Sequence, residues 1–385
     1  MINLVFQVSI ANYSQLGLFQ LVEISNSLSN HGINTHIICS GKVGEPKTET
    51  LSNTLILHRV SVPQDGKLNK IRFCLETLKI IKDVVNSNKP PYIVHVYFSP
   101  SIVVLPFLAK WYKNLEEVKW ILDVRSVPLK NKFKFLALYN VFYRFYDAIF
   151  FIDELIQKQI GKSDKPQFVV PLGSNFSNFR PNKMKRHTIR NILNIKEEDF
   201  AYIYIGEISQ SRKIYILIEA FKIFIGQNKN RNVKLILLGT GDAFDFIKIK
   251  ISAYKLEKYI IMPGFVSYSE VPLYLNAADV GISFIPQTKE YDVQPPRKTV
   301  DYLACGLPVI ATDTKGNRRF VKDGENGFLV NDTPECIASG MKRLLNFKQY
   351  EKMKKFARQS VIQYDYENII DSILLPVYKR LVNDY

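Results

Sequence analysis

Short runs of apolar, β-branched and aromatic residues recur along this chain, separated by stretches with helical periodicity. In the first half the runs are INLVFQV, THIICS, YIVHVYF, KWILDV, AIFFI and FVVPLG; in the second they are AYIYIG, VKLILLG, YIIMPG, VGISFI and PVIATD. Strand and helix patterns alternating in this way predict parallel sheets wrapped by helices, in two α/β layers in tandem. Between the layers, residues 174 to 198 are polar, basic and broken by Pro181, and read as an interdomain link. The domains are then 1–175 and 199–360, followed by a helical tail from Asn346 to Tyr385.

The longest apolar stretch, Tyr92 to Trp111, holds His95, two prolines and two serines, so it reads as a buried strand, a turn at Ser99 and Pro100, and an apolar helix. In KLNKIRFCLETLKIIKDVV, Ile71, Leu75, Leu78 and Val85 fall near one helical face, with Lys67, Lys70, Arg72, Lys79 and Lys82 around the remainder. Such a helix either packs its stripe on its own sheet or lies on an anionic bilayer. The basic and aromatic KNKFKFLALYNVFYRFYD keeps the second option open.

At 385 residues there is length for two cores, and 46% hydrophobic against 23% charged residues is a folded composition. The net charge of +16 favours anionic partners, but the excess is spread along the chain and the aromatics sit in core-like runs, which argues against nucleic acid. Cys39, Cys74, Cys305 and Cys336 lack the spacing of a zinc or redox site and read as reduced thiols. MINLVFQVSI has no basic region ahead of its apolar run and no small-residue cleavage site, so a cytoplasmic location is expected.

Two segments carry chemistry. In PPRKTVDYLACGLPVIATD, a helix from Arg297 to Ala304 would put Lys298 and Asp301 on one face of its N-terminal end, the lysine for a phosphate and the acid for a vicinal diol. In YIGEISQSRKIYILIEAF, Gly206 ends a strand and Arg212 follows in a loop, where open α/β sheets bind ligands. The plain alternative for each charge is a solvated surface position.

Taken in order, GEISQSRK with LIEAF, then LLGTGD, MPGFVSYSEVPLYLNAADVGIS, PPRKTVDYLACGLPVIAT and VKDGENGFLV resemble the motifs of family 4 glycosyltransferases, strongly over residues 200 to 345. FVVPLGSN with Phe179 and Pro181 resembles the family's segment before the hinge. The resemblance implies an α/β fold of GT-B type, two Rossmann-like domains facing a cleft, with a C-terminal helix, 365–385, crossing back to the first. It implies an acceptor-binding first domain and a second that binds the nucleotide-sugar. Arg212 and Lys298 match the family's diphosphate contacts, Asp301 stands where a glutamate holds the ribose, and Gly264, Phe265 and Val266 fall beside the base. Gly206 and Gly239 lie in the matched GEISQSRK and LLGTGD segments and are assigned to the donor site; after the first strand the family's usual Gly-Gly pair is missing, and NYSQLGLFQ offers Gly17 as the loop contact.

The chain departs from the family pattern at several positions. Val293 replaces the first acid of the glutamate pair, leaving Glu290 and Asp292 as candidates for the acid beside the donor sugar, or as a solvated loop. Lys213 occupies a usual glycine position and Glu207 a frequent arginine one. Where relatives carry a sugar-contacting histidine, Asp123 and Arg125 stand at a strand end, as a substrate contact or a structural ion pair; His95 reads as a core histidine with a backbone partner.

The expected function is a retaining transfer of sugar from a UDP-sugar, less readily a GDP-sugar, to a glycan or lipid-linked acceptor in surface polysaccharide synthesis. No Asp-x-Asp motif precedes a strand end, so neither metal nor other cofactor is expected, with cations and helix N-termini stabilising the leaving diphosphate. Peripheral contact with an anionic membrane is the further partner. The alternatives are a silent nucleotide-sugar-binding protein and an epimerase of the same fold.

Overall fold

Each apolar run contributes a strand, and the strands form two sheets. The computed structural model describes residues 3–12, 19–42, 44–61, 67–126, 132–161, 163–228 and 231–383. The chain divides into one unit of residues 1–173 with 366–385 and a second of 174–365.

The first unit holds β1 (Leu4–Asn12), β2 (Asn34–Gly41), β3 (Thr48–Ser52), β4 (Leu55–Ser61), β5 (Tyr92–Tyr97), β6 (Val118–Val124), β7 (Ala148–Phe151) and β8 (Gln167–Val169). They lie in the order β3-β4-β2-β1-β5-β6-β7-β8, parallel except for β3. The apolar runs did not flag β3 and β4. The former is a largely exposed polar edge, and the latter, LILHRVS, carries His58 and Arg59 among its apolar residues.

Helices cover both faces of this sheet. On one, α1 (Phe19–Asn30) packs with the tail, α13 (Tyr366–Ile369), a π-helical turn (Ile370–Leu374) and α14 (Leu375–Asn383), against Val5, Ile93, Ile121 and Phe150. On the other lie α2 (Lys67–Asn86), α3 (Leu105–Ala109), α4 (Lys132–Phe142) and α5 (Glu154–Ile160). The expected stripe of α2 is split: Leu78 and Val85 are buried with Phe73, Cys74 and Ile81, whereas Ile71 and Leu75 are 55% and 44% exposed. The sheet takes the face centred near Cys74 and Ile81, and Ile71 and Leu75 sit on its flank. Among the described residues no helix is long and apolar enough to cross a membrane.

The second unit begins inside the stretch expected to be a link. Asn182 caps α6 (Lys183–Ile192) by accepting from the Lys185 N–H at 2.9 Å. Arg190, fully buried, donates to the carbonyls of Ala277 at 2.9 Å and Lys196 at 2.6 Å, and Arg186 pairs with Asp279 at 3.0 Å. A basic sequence therefore forms a docked helix because its arginines satisfy backbone carbonyls that would otherwise be buried without partners.

Its sheet runs β11-β10-β9-β12-β13-β14, all parallel: β9 (Phe200–Ile205), β10 (Val233–Leu238), β11 (Ile260–Gly264), β12 (Val280–Ser283), β13 (Val309–Thr312) and β14 (Gly327–Val330). This is the doubly wound order, whose direction reverses between β9 and β12. The helices are α7 (Tyr215–Gln227), α8 (Phe244–Ala253), α9 (Val271–Ala277), α10 (Arg297–Ala304), α11 (Pro334–Leu345) and α12 (Tyr350–Gln359).

Candidate functional site

In the second unit the reversal point is lined by backbone and cations. Three neighbouring strands end in glycines at positive φ: Gly206 after β9, Gly239 after β10 and Gly264 closing β11. The Gly206 N–H donates to Leu238 O at 3.0 Å and the Gly239 N–H to Gly264 O at 2.9 Å, so the ends form one ledge. A Cβ on Gly239 would lie 1.9 Å from the Gly206 carbonyl oxygen, and one on Gly206 would lie 3.4 Å from Lys298 Nζ. A side chain is excluded at Gly239 and disfavoured by positive φ at Gly206 and Gly264, leaving backbone open to a ligand.

Lys298, in the first turn of α10, reaches over this ledge. Its ammonium donates to Phe284 O at 3.3 Å and lies 4.0 Å above the Tyr204 ring. Among the described residues no carboxylate pairs with it. Burial first, and then the nearby charge of Arg212, push its pKa well below the usual lysine range. An anion arriving here would relieve both effects.

Arg212 sits in the loop after β9. Its guanidinium carbon lies 4.3 Å from the Tyr291 ring centroid, and its Nε is 3.9 Å from Glu207. Glu207, at the position where relatives carry an arginine, is thus a long, exposed partner of this cation. Lys213, at the family's glycine position, has φ of +51°, so the backbone there keeps the left-handed form that glycine favours.

Asp301 has a different set of neighbours from Lys298. Its Oδ1 accepts from Ser174 Oγ at 2.6 Å, and its Oδ2 lies 3.7 Å from Arg297 Nε one helical turn back. Arg297 in turn stacks on Tyr268, at 4.1 Å, and hydrogen-bonds its hydroxyl. Lys298 and Asp301, three residues apart on α10, therefore have separate partners.

The loop before α10 places its acids away from Lys298. Asp292 pairs with Lys315 at 2.8 Å and accepts from the Lys315 N–H at 3.0 Å. Burial raises its pKa, but the hydrogen bonds and charge of Lys315 outweigh this and hold it below the usual carboxylate range. Glu290 is exposed and, among the described residues, makes no hydrogen bond or ion pair. Val293 is half-buried. At the end of β11, Phe265 is 63% exposed beside the half-buried Gly264 and Val266. Gly17 lies outside the described residues.

Sequence reasoning missed the support beneath Lys298. Ser283 Oγ lies 2.6 Å from Thr299 Oγ1, and both donate to Asn317 Oδ1 at 2.9 Å, a buried triangle joining β12, the first turn of α10 and the turn Asn317–Arg319. The one local hint was Ser283, a small polar residue between Ile282 and Phe284.

In the first unit the corresponding charges are paired. His95 has side-chain partners and not the backbone partner expected: Nε2 lies 2.9 Å from Asp123 Oδ2 and Nδ1 3.0 Å from the Tyr378 hydroxyl on α14. Arg125 donates to the same Asp123 oxygen and, at 3.2 Å, to Val170 O. Burial holds His95 neutral; burial opposes the charge of Asp123 too, but Arg125 and His95 overcome it. With the carboxylate ionised, Nε2 must carry the imidazole proton, and Nδ1 accepts from Tyr378. Asp123 and Arg125 form a buried ion pair at this strand end.

Residues 185–360 match the family profile described as Glycosyl transferases group 1. The alpha-monoglucosyldiacylglycerol synthase of Acholeplasma laidlawii is 29% identical over 191 residues, 49% of this chain and 45% of that one. A galactosyltransferase of Escherichia coli, UDP-Gal:alpha-D-GlcNAc-diphosphoundecaprenol alpha-1,3-galactosyltransferase, is 25% identical over 197 residues, 50% and 49% of the two chains. The matched stretch spans about half the length of these relatives. Among solved structures, sucrose-phosphate synthase from Thermosynechococcus elongatus superimposes with a TM-score of 0.79 at 16% identity, covering 100% of both chains. HepE from Anabaena, in complex with UDP and glucose, gives 0.75 at 15% identity over 98% and 100%. With two Rossmann-like units, this likeness shows the GT-B fold.

Proposed function

We propose that this chain, whose residues 185–360 belong to the group 1 glycosyl transferases, is a retaining glycosyltransferase that takes its sugar from a UDP-sugar in preference to a GDP-sugar. The observation that carries the reading is Lys298, an ammonium with no carboxylate partner among the described residues at the sheet's reversal point, with Arg212 close enough to depress its pKa. Two cations and an open glycine ledge suit the diphosphate of a nucleotide-sugar. The UDP-containing HepE complex and the UDP-Gal name of the Escherichia coli relative support this donor class.

In the proposed reaction the bond from the sugar C1 to the diphosphate oxygen breaks and its electron pair leaves with the nucleoside diphosphate. Lys298 and Arg212 stabilise that charge, which asks for no metal ion. The acceptor hydroxyl oxygen joins C1 from the face of departure, and its proton passes to the leaving phosphate oxygen. Asp301 would serve the ribose after exchanging Ser174 for the diol, with Phe265, Gly264 and Val266 beside the base.

The acceptor, a glycan or lipid-linked sugar of surface polysaccharide synthesis, is assigned to the first unit, on the cytoplasmic face of the membrane. Peripheral attachment is supported by Leu68 and Phe133, 80% and 88% exposed in the first turns of α2 and α4, with Lys70, Arg72 and Lys134 near them. Incubation with UDP-hexoses and a lipid-diphosphate sugar acceptor, with proton NMR of the product, tests the reading. Transfer with the donor's anomeric configuration is expected. Inversion refutes the retaining mechanism, and nucleotide binding without transfer or donor hydrolysis refutes the enzyme.

A further inference from the structure

The loop between β12 and α10 sends one side chain to the cations, and it is not an acid. The Tyr291 ring lies 4.3 Å from the Arg212 guanidinium carbon, and its hydroxyl donates to Ser211 Oγ at 3.4 Å. The loop holds this ring in place. The N–H groups of Tyr291 and Asp292 donate to Thr288 O at 3.1 and 2.9 Å, and the Gly316 N–H donates to Asp292 O at 2.7 Å. Asp292 is further tied to Lys315, so residue 291 is braced on both sides. A Cβ on Gly316 would meet Gln294 O at 2.1 Å, which keeps that clasp closed to larger residues.

An aromatic ring and a carboxylate would act differently at this position. A carboxylate would neutralise Arg212 and compete with an incoming phosphate, whereas a ring face attracts the guanidinium through its quadrupole and leaves the N–H edges free. Glu207, exposed and 3.9 Å away, does not fix the guanidinium plane. We propose that Tyr291 is the positioning residue of the donor site, holding Arg212 by its face so that its N–H edge meets the diphosphate. The inference deepens the donor reading above and rests on it.

Calorimetric titration of UDP, GDP and ADP into the full chain tests it, using wild type, Tyr291→Phe, Tyr291→Leu, Arg212→Ala and the double variant, with a melting temperature for each. Tyr291→Phe keeps the ring and binds within about twofold of wild type; Tyr291→Leu loses it and binds about three- to tenfold more weakly. In the Arg212→Ala background Tyr291→Leu makes no further difference, which a merely structural role would not produce. Wild-type affinity in Tyr291→Leu, or full additivity in the double variant, overturns the inference and leaves the donor site standing. If wild type takes none of the three nucleotides, the donor reading falls and the inference falls with it.

Discussion

The two units share the same parallel six-strand order, which β3 and β8 extend in the first, and differ in how they treat charge at the carboxyl ends of their central strands. In the first, Asp123 lies between His95 and Arg125, and Tyr378 closes the chain of hydrogen bonds from the tail, so the cation of this network is paired. In the second, Lys298 and Arg212 stand near each other above a glycine ledge; Arg212 is met by the exposed Glu207 at 3.9 Å, Lys298 by no carboxylate among the described residues, and Asp292 turns to Lys315 and Asp301 to Ser174 and Arg297. A compensated charge network contributes structure. An uncompensated one costs stability unless a ligand supplies the missing sign. The contrast supports the proposed anion site without reference to sequence likeness.

The largest effect expected is on turnover. Lys298→Ala and Arg212→Ala each reduce sugar transfer by about a hundredfold or more. Lys298→Met leaves the melting temperature unchanged or raised, because it removes a half-buried charge that lacks a counterion. A melting temperature that falls by several degrees would show that Lys298 is structural. In the first unit the sign reverses. Asp123→Asn strands Arg125 in the interior and costs about 3 kcal/mol, measured by urea unfolding.

Acid sharpens the comparison through another first-unit pair. The His36 Nδ1 and His58 Nε2 atoms are 2.8 Å apart in a buried stack, and both side chains are pushed down to about 4, by burial first and in His36 also by the charge of His58. Both are neutral in the folded state, while the unfolded chain takes up protons as pH falls through 6.5, the usual value for histidine. Their contribution is therefore neutral above that pH, and stability is lost progressively from there down to about 4. Urea unfolding at pH 7 and pH 5 checks this: wild type loses more stability than the His36→Gln/His58→Gln variant, and equal losses would contradict it. The smallest effect is at Lys213, where glycine relieves the left-handed backbone and raises stability by up to about 1 kcal/mol in thermal unfolding.

Much of this arrangement was legible because it is local. Apolar runs marked eleven of the fourteen strands among the described residues, all but β3, β4 and β14, and a basic residue just after a strand end, or in the first turn of a helix beside a Gly-Pro turn, pointed to Arg212 and Lys298. Distant pairings were not legible. His95 and Tyr378 are 283 residues apart and Asp301 and Ser174 are 127 apart, and no periodicity links them. Helix α6 was read as a link because its buried face is arginine, whose carbonyl partners come from α9 and the turn after it. Asp292 was one of two candidates for the acid beside the sugar, and its pairing with Lys315, 23 residues on, could not be seen from sequence.

Calorimetric titration of UDP into wild type and Lys298→Ala, with both shown to be folded, tests the central claim most directly. The account predicts saturable one-to-one binding to wild type and affinity at least tenfold weaker in the variant. Equal affinity would contradict the assignment of Lys298 to the diphosphate, and with it the argument that an uncompensated cation at the reversal point marks the donor site.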